Sequence, residues 1–116
     1  MWIFTQDGFI SAVDNGHVPG KLAVRARDKQ SLAMLADIAQ TEIVESKKTD
    51  YPYRVFVTRE QLSEFLVANV DTIDYGNFKS RVYDTRGPEF AHACGDVWAA
   101  MLAVTDADAR GLGIYS

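Results

Sequence analysis

Lys21-Leu22-Ala23-Val24-Arg25-Ala26-Arg27-Asp28 is the stretch that decides how this chain folds. Its side chains alternate, with Leu22, Val24 and Ala26 on one side and Lys21, Ala23, Arg25 and Arg27 on the other. That is the pattern of an antiparallel strand with one face on a core and one toward water. Asp28 then serves as the N-cap of a helix through Ser31–Ala39. Leu32, Leu35, Ala36 and Ala39 supply its apolar stripe, widened by Met34 and Ile38.

Upstream, Met1-Trp2-Ile3-Phe4-Thr5-Gln6-Asp7-Gly8-Phe9-Ile10 reads as a strand entering a tight turn at Asp7-Gly8, with a second strand through Ala12 and Val13. This opening leaves no room for a leader. Asn15-Gly16 and Pro19-Gly20 bracket a longer turn.

Downstream, Glu42–Glu45 is a short strand and Tyr53–Thr58 a strong one, β-branched and aromatic, entered by Pro52. Thr58 with Gln61 forms a capping box, so a helix runs to about Val70 with Leu62, Phe65, Leu66 and Val70 inward. Asn77 to about Tyr83 reads as either a short helix or a loop, with the helix favoured. Pro88 opens a last one carrying Phe90, Cys94, Val97, Trp98, Met101 and Leu102 on its inner face. The expectation is α+β: a two-layer sandwich, antiparallel or mixed sheet, helices on one face, with ferredoxin-like topology. One domain over 1–110 and a frayed tail over 111–116 complete the reading.

At 116 residues, 47% apolar and 24% charged, the chain is long enough to remove roughly two-thirds of its unfolded surface from water. The net charge of -4 disfavours nucleic acid and anionic membrane as partners. A single cysteine, Cys94, rules out an intrachain disulfide, and no apolar run approaches membrane-spanning length. A cytoplasmic protein is expected. Trp2 and Trp98 read as core residues, since burying about 200 Å² is worth roughly 5 kcal/mol; for Trp2 alone a surface role as an interaction anchor stays open.

Candidate chemistry is sparse. His92 and Cys94 lie two apart on a helix and face different sides, so neither a metal site nor a thiolate nucleophile assembles there. No metal or cofactor is expected. The carboxylate pairs Asp71/Asp74, Asp106/Asp108 and Glu42/Glu45 are not set in apolar runs that would raise a pKa for acid–base work.

Cations beside aromatics are more suggestive. Arg25 and Arg27 share a strand face, Arg54 sits mid-strand beside Tyr53, and paired strands would cluster these guanidinium groups for an anion. Asp74-Tyr75-Gly76-Asn77-Phe78-Lys79 adds aromatic and amide groups suited to a phosphate or a stacked base. The candidate ligand-binding set is therefore Arg25, Arg27, Arg54, Tyr75, Asn77 and Lys79. The plain alternative is a solvated sheet face, with Tyr75 and Phe78 seating a loop.

Several of these segments carry a resemblance. Trp2-Ile3-Phe4-Thr5 with Gly8-Phe9 and Ser11, Val24–Arg27, Tyr51-Pro52-Tyr53-Arg54-Val55, Asp74-Tyr75 with Asn77-Phe78-Lys79, and Asp96-Val97-Trp98 occur in one order. Together they resemble a family of short bacterial and phage proteins that has no assigned reaction. This chain departs at Phe90–Gly95, where the resemblance implies an aromatic residue and a histidine close to Asp96. Three functions follow from these readings. The first is a non-catalytic module for an anionic small molecule or a protein. The second is a small hydrolase or nuclease using Asp74, Tyr75 and Lys79. The third is an adaptor or inhibitor of phage or host machinery.

Overall fold

The structure, a computed structural model, describes residues 1–109; the tail expected to fray over 111–116 lies outside them. Contacts within the chain group it into two compact units, one spanning Met1–Gly76 and one beginning at Asn77.

Among the described residues, the first unit holds strands β1 (Trp2–Thr5), β2 (Gly8–Val13), β3 (Leu22–Ala26), β4 (Val44–Glu45) and β5 (Tyr53–Val57). A 3-10 turn over Gln30–Leu32 leads into helix α1 (Ala33–Ala39), and β5 leads into α2 (Arg59–Asp71). The five strands form one sheet in the order β1-β2-β3-β5-β4, every neighbouring pair antiparallel. The α+β class and the antiparallel sheet are thus as expected.

The complete ferredoxin-like path is not shown. In that path the two strands flanking a helix have a third strand between them, and a last strand follows the second helix. The strands flanking α1, β3 and β4, do have β5 between them, paired with β3 from Leu22↔Val57 to Ala26↔Tyr53 and with β4 at Val44↔Arg54. The departure lies elsewhere: β1 and β2 stand ahead of this unit as a hairpin, and among the described residues no strand follows α2.

Alternation places Ile10, Ala12, Val24, Ala26, Val55 and Val57 on one sheet face, where they pack against Leu32, Leu35, Leu62 and Phe65 from the helical layer. Asp28 Oδ1 accepts from the Ser31 amide at 2.9 Å, but Asp28 is not the N-cap expected: Lys29 precedes the 3-10 turn and Leu32 precedes α1, neither with a side-chain cap. The capping box is present in full: Thr58 Oγ1 accepts from the Gln61 amide at 3.2 Å, and Gln61 Oε1 from the Thr58 amide at 2.9 Å. Of the stripe expected on α2, Leu62 and Phe65 are buried and Leu66 partly so, whereas Val70 is 64% exposed. The β1–β2 turn falls on Gln6-Asp7, one residue before the glycine, which opens β2 opposite Thr5.

The second unit holds α3 (Phe78–Arg86) and α4 (Pro88–Ala109), joined at Gly87, whose φ of 91° suits glycine. At 1.5 Å per residue α3 is about 14 Å long and α4 about 33 Å. The antiparallel partner therefore runs out near Val97. Cys94 is buried, while Val97, Trp98, Met101, Leu102 and Val104 are exposed.

Neither tryptophan is in the core. Trp98 is 59% exposed because it lies where α4 outruns α3. Trp2 is 71% exposed because register puts it opposite Ser11, on an edge strand and on the sheet face away from α1 and α2. The roughly 5 kcal/mol that burial would contribute is not realised at either position.

Candidate anion-binding site

Strand register builds a row of side chains across the sheet face opposite α1 and α2. Trp2 pairs with Ser11, Ser11 with Arg25, and Arg25 with Arg54. Directly paired residues share a face and lie about 5 Å apart. The two guanidinium groups are therefore on neighbouring strands and on one side.

The Ser46–Pro52 loop folds over the end of this row. Ser46 N donates to Pro52 O at 2.7 Å, and Thr49 Oγ1 donates to Tyr51 O at 2.7 Å. These bonds hold Tyr51 inward, at 7% exposure. The Arg25 Cζ lies 4.6 Å from the Tyr51 ring centroid and the Arg27 Cζ lies 5.3 Å from it. Arg54 Nη2 donates to Tyr51 O at 3.2 Å, so all three arginines meet at one tyrosine.

The remaining polar contacts are to neutral oxygens. Arg25 Nη2 donates to Ser11 Oγ at 2.8 Å, and Arg27 Nε to Asp50 O at 3.3 Å. Among the described residues none of the three arginines pairs with a carboxylate; Arg59 does, with Asp14 at 3.1 Å, on exposed surface. The Nε atoms of Arg25 and Arg54 are buried without an acceptor. A buried donor left unmade costs about 1–3 kcal/mol, more when charged. Like charges directly opposite add repulsion. A carboxylate or phosphate at the guanidinium groups would offset the repulsion through charge-assisted hydrogen bonds.

The six residues chosen from sequence fall in three places. Arg25, Arg27 and Arg54 come together around Tyr51. Tyr75 instead lines a cavity of about 170 Å³ with Ile3, Thr5, Leu66, Asn69 and Ile73. Asn77 caps α3, its Oδ1 accepting from the Ser80 amide at 3.0 Å. Lys79 places Nζ 5.3 Å from the Trp98 ring centroid. Asn77 and Lys79 also line an open groove of about 730 Å³ along α3 and α4, with Tyr83, Asp84, His92 and Asp96.

Sequence reasoning missed Ser11 and Tyr51. Ser11 could be found only by counting register through two hairpins. Tyr51 carried a signal, standing three residues before Arg54 and just ahead of Pro52.

Among the described residues of the second unit, Cys94 is not poised as a nucleophile. Burial pushes the Cys94 thiol pKa up, the opposite of what a thiolate needs. Among the described residues no three of His, Cys, Asp and Glu gather as a metal would require, and no helix is long and apolar enough to cross a membrane. Comparison with protein-family models, curated proteins and solved structures finds no match to this chain.

Proposed function

We propose that this protein is a non-catalytic, cytoplasmic binding module, and that its first unit receives the anionic group of a ligand or partner at Arg25, Arg27 and Arg54. The observation that carries this reading is the convergence of three guanidinium groups on Tyr51 with no carboxylate partner among the described residues. Clustered cations left without a counter-charge favour an anion beside them. Tyr51 holds all three arginines in place through its ring and its carbonyl, which lowers the ordering cost of binding.

The test is a titration with inorganic phosphate at constant ionic strength, followed through the arginine Nε–Hε NMR signals. Those of Arg25 and Arg54 should shift with saturation, and chloride should not reproduce it. Arg25→Ala with Arg54→Ala should abolish the effect in a folded protein. Equal, unsaturable shifts in both salts would refute the site.

A further inference from the structure

We propose that the occupant of this face is single-stranded nucleic acid, its bases stacked on Trp2 and the rings beside it and its phosphates held by the arginines. The proposal rests on the anion site described above and names its ligand.

The sheet face opposite α1 and α2 has a distinct composition. Register puts Trp2, Phe4, Phe9, Arg25, Arg54 and Phe56 there, and none of its strand positions is Asp or Glu. Every charge contributed by the strands on this side is therefore positive, although the chain as a whole carries -4. Global charge is a poor guide at this range, because physiological salt screens exposed charges beyond about 8 Å.

The rings form a platform and not a core. Phe4 stacks on Phe9 with centroids 4.6 Å apart, and Trp2 meets Phe9 edge-on at 5.6 Å. Trp2 is mostly exposed despite its size. At about 4.8 Å per strand, Trp2 lies about 10 Å from Arg25 and about 14 Å from Arg54 across the sheet. A ligand fitting this face must alternate flat apolar rings with negative groups over that span. Single-stranded nucleic acid does so, and sheet faces bearing aromatics are a recurrent way to bind it. An acidic peptide would use the arginines and leave the rings idle.

The arrangement sets the strength of the salt effect. Three arginines neutralising three phosphates release few counterions, so log K against log salt should fall with a slope of about -2.

The full chain with Trp98→Phe keeps Trp2 as its one tryptophan. Its fluorescence is titrated with a ten-residue oligo(dT), an abasic oligomer of equal length and a poly-glutamate peptide. The expected result is quenching by oligo(dT), with affinity about tenfold or more above the abasic oligomer and the stated salt slope. In a fluorescein-labelled format, Trp2→Ala and Trp2→Leu should both erase that preference while keeping abasic binding. Equal affinity for oligo(dT) and the abasic oligomer overturns the proposal and leaves the anion site standing. So does tighter binding of poly-glutamate, or silence toward all three when phosphate still shifts the Arg25 and Arg54 signals. Silence toward phosphate as well overturns both readings.

Discussion

Arg25 and Arg54 stand directly opposite each other on adjacent antiparallel strands, two like charges in a position where opposite charges normally stabilise a sheet. A double-mutant cycle measures this directly. Arg25→Gln, Arg54→Gln and the double variant, compared by urea unfolding, should give a repulsive coupling of about 0.2–1 kcal/mol. Phosphate should shrink it. A coupling that favours the wild-type pair would show that the two groups support each other in the free protein.

Ser11 is buried beneath the row, and its hydroxyl accepts from Arg25 Nη2. Ser11→Ala removes that acceptor and leaves a second Arg25 nitrogen unmet. It should cost about 1–3 kcal/mol in denaturant unfolding. In Arg25→Gln the same change should cost less, and an unchanged cost would detach Ser11 from the arginine.

Thr58 closes the start of α2 through both bonds of its capping box. Thr58→Ala should lower stability by about 1 kcal/mol, and Thr58→Ser should restore most of it. Thermal unfolding reads both variants.

Gly95 lies inside α4, and a methyl group there would meet only the Lys79 Cδ at 3.8 Å, an ordinary contact. Gly95→Ala should therefore raise stability by about 0.5–1 kcal/mol through helix propensity and a stiffer unfolded chain. Gly87→Ala is the control of opposite sign, since residue 87 has positive φ. Calorimetry on the two variants should show melting temperatures moving in opposite directions.

Cys94 titrates above an ordinary thiol because burial disfavours the thiolate. Folding therefore favours the protonated form. Stability from this group is complete below the unfolded pKa of about 8.5. It is lost as pH rises above that value, because the unfolded chain sheds the proton first. Cys94→Ala should flatten this alkaline decline. Iodoacetamide should label the native thiol far more slowly than the urea-unfolded one.

The elements themselves were readable because each carries a local signature. Alternation over Lys21–Arg27, the Thr58/Gln61 box and Pro88 each mark one element without reference to the rest of the chain. What was not readable depends on partners distant in sequence. Trp2 has the size of a core residue, and only its pairing with Ser11 shows that it faces away from α1 and α2. Trp98 belongs to an apolar helical stripe, but whether that stripe is covered depends on the length of α3. The arginine cluster was anticipated as far as strand pairing allowed. Tyr51, which joins its three members, lies in a loop whose fold comes from hydrogen bonds of Ser46 and Thr49 that no periodicity reports.

The mismatch in length between α3 and α4 gives the long helix two clocks. Amides around Cys94 are clamped along their neighbour and should trade their protons for deuterium only when the whole hairpin melts. From Trp98 onward the backbone has no such clamp, so each turn can open singly and its exchange should track solvent conditions over seconds, not global unfolding.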